Sequence, residues 1–302
     1  MSNAAQPPGG AATRMPPGSA KPSAPRRGAI STDSLRWMAT LVSFHAHPDD
    51  ESIATGGTLA KAAKAGHRTV LVFGTKGEHG EVDEGYLDDG ETLGERRVKE
   101  TQRSAEILGV QRVEWLGYTD SGMMGTPEND LPGSFWTADV DEAATRLAAI
   151  LRDEDADVLT IYDSDGNYGH PDHIQVHRVG VRAAELAGTP RVFEGTINRD
   201  HIKRAMLAAA ESGTLPGDNA PTPDDFETFG RPESVITTTV DVREFVEQKR
   251  ASMAAHASQI NEQSFFLSMP ADQFEMGFGY EWFIRHGVTE DHRDDDLFVG
   301  LE

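Results

Sequence analysis

Cysteine is absent from this chain of 302 residues. Disulfides, thiolate nucleophiles and cysteine-ligated zinc are excluded together, so any metal must be held by His, Asp and Glu. Long apolar runs are missing as well. None approaches the roughly 18 residues that a membrane helix needs, and the first residues show no apolar core of the signal-peptide kind. The expectation is a cytoplasmic protein that does not insert into membranes. Basic residues are scarce: 28 Lys and Arg stand against 50 Asp and Glu, a formal net charge of -22. Such a surface repels nucleic acid and anionic lipid, so neither is expected as a partner. A homo-oligomer stays open. The hydrophobic share, 37%, still permits a sizeable core at this length.

Residues 1–36 hold Pro7, Pro8, Pro16, Pro17, Pro22 and Pro25 among Gly, Ala and Ser, with no apolar period. They read as a disordered tail, and residues 37–302 as a single domain. From residue 37 the pattern alternates. "ATLVSFHAH", "HRTVLVFGT", "RVEWLG", "DVLTIYD" and "RVFEGTI" read as strands. Between them, "SIATGGTLAKAAKAG", "ETLGERRVKETQRSAEILG", "DVDEAATRLAAILRDEDA" and "PDHIQVHRVGVRAAELAG" read as helices. Strands rich in β-branched residues that alternate with helices predict an α/β fold, a Rossmann-like, mostly parallel sheet with helices on both faces. The region 200–302 is less regular and is expected to be a C-terminal extension. It contains a Pro/Gly-rich, acidic excursion over 212–232 and a helix over 241–260.

The chemistry concentrates in two short stretches. "HAHPDDE" ends the first strand, and "YGHPDH" follows the strand "DVLTIYD". In an open α/β sheet, ligands bind beyond the carboxyl ends of the strands, so both stretches belong at one edge. A catalytic zinc takes three N or O ligands and keeps one position open. His47, Asp50 and His173 would supply that set, and Pro48 fixes the turn between the first two. Such a metal polarises a carbonyl and lowers the pKa of a bound water from about 15.7 to roughly 7. A neighbouring carboxylate, Asp49, is then free to take the proton.

These motifs resemble the PIG-L/LmbE family of zinc-dependent N-deacetylases. That family includes N-acetylglucosaminyl-phosphatidylinositol deacetylases, deacetylases of mycothiol and bacillithiol synthesis, and mycothiol-conjugate amidase. The likeness is carried by "AHPDDE" and "HPDH" and continues in "GYTDSGM" and "AHASQI", which resemble the mycothiol branch. It implies one Zn2+ per chain on His47, Asp50 and His173, with Asp49 as general base. It implies His170 as partner acid or oxyanion stabiliser, with Asp172 orienting it and raising its pKa, and Tyr168 assisting. Arg97 and Asp120 would hold a small N-acetylated amino-sugar substrate. The reaction implied is removal of an N-acetyl group by amide hydrolysis, with conjugate amidase as the alternative.

Other readings compete. His-x-His-x-Asp also opens the site of metallo-β-lactamase-like hydrolases, where His45 and His47 would both be ligands. Against it, His45 lies on the strand and reads as a buried histidine. A carbohydrate-binding protein without activity is a second rival, opposed by the intact motif residues. Glu51 reads as a stabiliser of the helix start, His177 and His256 as structural residues on helices, and Gly56-Gly57 as a close approach. Arg97 and Glu100 could simply pair. Glu78 and His79 sit in a loop that can reach a polar substrate. Trp282 and Phe283 read as C-terminal packing.

Overall fold

The computed structural model describes residues 38–212, 229–289 and 291–301. The tail expected over 1–36 and most of the excursion expected over 212–232 lie outside the described residues.

Seven strands form one sheet in the order β3-β2-β1-β4-β5-β7-β6. They are β1 (Thr40–His45), β2 (Arg68–Phe73), β3 (Arg112–Trp115), β4 (Val158–Tyr162), β5 (Arg191–Thr196), β6 (Thr238–Asp241) and β7 (Tyr280–Arg285). The first five are mutually parallel. β7 runs antiparallel between β5 and β6. Its Phe283 is fully buried and pairs with Gly195 and Thr238. Residues read as C-terminal packing are therefore part of the sheet. The signal was the alternating "YEWFIR", whose partner strands lie far away in sequence.

Alternation of side chains along the strands builds two cores. Val42, Phe44, Val70, Val72, Leu159 and Ile161 face α4 (Val140–Asp153) and α6 (Pro171–Ala187). Leu41, Leu71, Phe73 and Val158 face α2 (Gly56–Ala65) and α3 (Leu93–Leu108). Helices thus cover both faces, as parallel strands buried on both sides require. The short α5 (Gly166–Gly169) precedes α6, α7 (Arg199–Ser212) follows β5, and on the second face α8 (Val246–Ala255) packs against α2 and α3.

Two local departures from expectation matter for the site. The helix expected from Ser52 divides into α1 (Asp50–Ala54) and α2, with a break at Thr55. The Thr55 hydroxyl is turned to Glu51 O and to the His45 ring instead of solvent, a local competition that unsettles helices. Just beyond, a Cβ on Gly57 would stand 2.4 Å from Val242 Cβ, so only glycine allows this approach. The helix expected over 241–260 covers only 246–255, and His256 leaves it to enter the core. The Glu281 carboxylate, fully buried, accepts Gly57 N–H and Thr58 N–H at 2.8 Å each and the Lys249 ammonium at 2.6 Å. That contact fixes the start of α2 against β7.

The strand order sets the location of the chemistry. From β1 the chain winds outward through β2 and β3, then α4 returns it to β4 on the other side of β1. The carboxyl ends of β1 and β4 therefore diverge at a switch point, where open α/β sheets form their clefts. No helix among the described residues is long and apolar enough to cross a membrane.

Candidate metal centre and active site

His47 to Asp50 leave the end of β1, and residues 163–170 leave the end of β4. The two segments meet. Asp50 turns its carboxylate back to the His47 backbone N–H, which donates to Oδ2 at 2.9 Å. The same oxygen stands 3.4 Å from His47 Nδ1 and 3.4 Å from His173 Nε2. Zinc–ligand bonds of about 2.0–2.2 Å put neighbouring donors of a tetrahedral site roughly 3.3–3.6 Å apart. Each of these two spacings suits a pair of ligands on one cation, whereas the groups of three donors within 4.8 Å of one another join His47 and His173 to His170 and leave Asp50 out. His173 is 2% exposed, and neither ring nitrogen has a hydrogen bond among the described residues. A buried imidazole left this way costs about 1–3 kcal/mol, a cost that a metal at Nε2 would remove. Burial alone would raise the pKa of Asp50, but His173 and His47 overcome it and hold the carboxyl well below its usual range.

His47 has a second set of neighbours. Its Nε2 donates to Asp172 Oδ2 at 3.1 Å and lies 3.5 Å from Asp120 Oδ1. Burial opposes protonation of His47, yet the carboxylates of Asp120, Asp172 and Asp50 reverse the sign and raise its pKa well above normal. Two sets of donor atoms converge within 4.8 Å: His47, His170 and His173, and His47, Asp120 and Asp172. With Nε2 held by carboxylates, Nδ1 is the nitrogen turned toward Asp50. A carboxylate behind a metal-ligating imidazole fixes its tautomer and orientation.

Asp172 therefore differs from expectation. Its carboxylate is turned to His47 and to Ser121, accepting Ser121 N–H at 2.9 Å and the Ser121 hydroxyl. Its contact with His170 runs through the backbone: Asp172 N–H donates to His170 Nδ1 at 3.1 Å, so His170 caps α6. An accepting Nδ1 leaves the proton on Nε2. The expected upward shift of His170 is reversed. Burial, with His47 and His173 beside it, brings its pKa down to about 4, and Asp172 offsets little of this. The positive end of the helix dipole acts in the same direction.

Asp49 has φ 98° and ψ −33°, outside the regions open to most residues. Its N–H donates to Glu51 Oε2 at 2.9 Å, and its Oδ2 lies 3.4 Å from Arg97 Nη2. Burial lifts its carboxyl to about 6; Arg97 opposes the shift and Asp50 adds to it. Tyr168 is half-exposed, its ring 4.9 Å from that of His173.

Arg97 and Asp120 are placed beside the motif, but both are buried. Arg97 donates to Pro48 O and to Gly77 O, not to Glu100, which binds Ser258 and Tyr86. Asp120 accepts the N–H groups of His79 and Gly122 at 3.1 and 2.9 Å. Arg97 thus ties the turn at Pro48 to Gly77, and Asp120 ties its own loop to the one that carries His79.

Sequence reasoning missed Tyr162 and Ser121. The Tyr162 ring stacks on His173 at 4.2 Å, and its hydroxyl meets His45 Nδ1 at 3.0 Å. His45 is buried among Ser43, Thr55 and Tyr162 and belongs to no metal-capable group among the described residues. Burial brings its pKa down to about 4. Together with the parallel sheet, this removes the metallo-β-lactamase-like alternative. His177 is structural, its Nδ1 3.1 Å from Tyr162 O.

Residues 42–184 match the family model described as PIG-L: GlcNAc-PI de-N-acetylase. Among curated relatives, the 1D-myo-inositol 2-acetamido-2-deoxy-alpha-D-glucopyranoside deacetylase of Acidothermus cellulolyticus is 40% identical over 287 residues, covering 88% of this chain and 96% of the relative. Among solved structures, the N,N'-diacetylchitobiose deacetylase of Pyrococcus horikoshii is 21% identical with a TM-score of 0.52, covering 87% of this chain and 88% of that one. A teicoplanin deacetylase, in its zinc-inhibited form, has 15% identity and a TM-score of 0.54, covering 83% of this chain and all of that one. The two structural likenesses show the fold.

Proposed function

Because the chain belongs to the PIG-L family of GlcNAc-PI de-N-acetylases, we propose that it is a zinc-dependent N-deacetylase acting on an N-acetylglucosaminyl inositol. The relative's printed name and its 40% identity across nearly the whole of both chains support this choice of substrate. The domain over 37–302 would carry the whole activity, in the cytoplasm. The observation that carries the reading is the His173 imidazole, buried without a hydrogen bond among the described residues and turned to Asp50.

His47 through Nδ1, Asp50, and His173 through Nε2 would hold the metal. When bound, it polarises the amide carbonyl and makes water a competent nucleophile at neutral pH. Asp49 takes the proton from the attacking water and returns it, as the neutral acid, to the departing nitrogen. A carboxyl raised to about 6 is suited to both halves of that transfer. His170, neutral and protonated at Nε2, donates a hydrogen bond to the amide oxygen as it gains charge. Asp172 and Asp120 keep the His47 ring in one tautomer, and Tyr162 supports His173 from behind. Arg97 holds Asp49 and the Pro48 carbonyl in register.

The experiment is acetate release from the zinc-loaded protein. The panel comprises 1D-myo-inositol 2-acetamido-2-deoxy-α-D-glucopyranoside, N-acetylglucosamine, N,N'-diacetylchitobiose, and the same inositol glycoside carrying a cysteinyl-type acyl group. The acetamido inositol glycoside should give the highest kcat/KM. Faster cleavage of the larger acyl group would replace the deacetylase with the amidase alternative.

A further inference from the structure

The Asp49 backbone is held from a direction that the chemistry above does not use. Glu51, two residues on, is completely buried and cannot touch a substrate. Its Oε2 accepts the Asp49 N–H at 2.9 Å. Its Oε1 accepts Ser52 Oγ at 2.9 Å, Ser104 Oγ at 2.5 Å and His256 Nε2 at 2.6 Å. His256 is likewise completely buried and comes from the turn that ends α8, 205 residues away in sequence. The following residues fasten that turn to the same neighbourhood. Ser258 donates through N–H and hydroxyl to Glu100 on α3, and Gln259 Nε2 donates to Glu81 O.

We infer that Glu51 and His256 form a positioning pair, in which His256 fixes the Glu51 carboxylate and that carboxylate holds the strained backbone of Asp49 through its N–H. Neither residue reaches the reacting atoms. A positive φ at a non-glycine residue persists only where its surroundings over-determine it. Here Glu51 anchors the amide and Arg97 stands beside the carboxylate. Released from Glu51, the peptide can relax and turn the Asp49 side chain away, while Asp50 keeps its own contact with the His47 N–H. The C-terminal segment would thus set the geometry of a base on the opposite end of the chain. A small misplacement of a catalytic group costs rate far more than binding.

The inference rests on Asp49 being the base, so its test has one arm that needs no substrate. In protein labelled with 15N-aspartate, the Asp49 amide proton should lie downfield, as expected for a hydrogen bond to a carboxylate. It should move upfield in Glu51→Gln and in His256→Leu, and stay near its place in His256→Gln, whose Nε2 can still donate to Glu51. In the acetate assay, His256→Leu should lose at least tenfold in kcat, with KM within twofold and one metal per chain retained. His256→Gln should recover to within about threefold of wild type. Combining Glu51→Gln with His256→Leu should cost no more than the worse single variant, because the two act as one unit. Equal kcat in His256→Leu and His256→Gln, or an Asp49 amide unmoved by either Glu51→Gln or His256→Leu, would overturn the inference. If the wild type releases no acetate from any compound, the functional reading fails, and the amide shifts still decide the positioning pair.

Discussion

Replacing Asp49 with Asn removes one protonatable oxygen and little else. Asn has the same shape and tolerates positive φ about as well as Asp. The Asp49 N–H would keep its bond to Glu51 Oε2, and Arg97 would keep Pro48 O and Gly77 O. Asp50, His47 and His173 are untouched, so metal content should stay at one per chain. Loss of a general base typically costs about 10² to 10⁴ in rate. At about 1.4 kcal/mol per tenfold, the barrier should rise by about 2.8–5.6 kcal/mol. The pH profile separates this from simple misplacement. The wild-type kcat/KM should climb with unit slope to a plateau as Asp49 ionises near pH 6, and the residual rate of Asp49→Asn should lack that limb. Stability should move the other way. The Asp49 pKa is raised on folding, from 3.8 to about 6. Its contribution to stability is therefore present below pH 3.8 and lost as pH rises through 6. Two units correspond to about 3 kcal/mol at most, so metal-free Asp49→Asn at pH 8 should be no less stable than wild type in urea melts. An Asp49→Asn protein with wild-type turnover, or one that keeps the acid limb, would remove Asp49 as the base.

His47→Ala and His173→Ala should each strip the divalent metal, measured by mass spectrometry after dialysis; full retention in both would dismiss this ligand set. His170→Ala should keep the metal and lose about 10² to 10³ in kcat, the scale for one oxyanion donor. Because its pKa is brought down to about 4, wild type should show no alkaline limb that disappears in this variant; such a limb would restore His170 as a protonated acid. A chain beginning near Ser34 should match the full chain in acetate release and thermal melting, and a clear loss of either would give residues 1–36 a structural role.

Much of the site was legible because its signals are local. An apolar strand, a turn-forming proline and ligands three apart need no knowledge of distant residues. For that reason "HPDD" and "HPDH" placed His47, Asp49, Asp50, His170 and His173 together at one sheet edge. The alternation of strand and helix was equally local and foretold the parallel sheet, with glycines after α2, α3 and α6 marking their ends. What sequence left open was direction and depth. Whether the Asp172 carboxylate meets His170 or His47 depends on a side-chain torsion set by Ser121, on a loop after β3. Whether His170 gains or loses a proton depends on burial, which no short window reports, and burial outweighed the neighbouring charge. β7 entered the sheet between β5 and β6 because the edge of β5 needed a partner, a requirement visible only once the sheet exists. His256 looked like an ordinary helical residue, since what it touches, Glu51, lies at the other end of the chain and comes near only when α8 packs against α1. Local residue types chose the chemistry; packing between distant segments chose which atoms face one another.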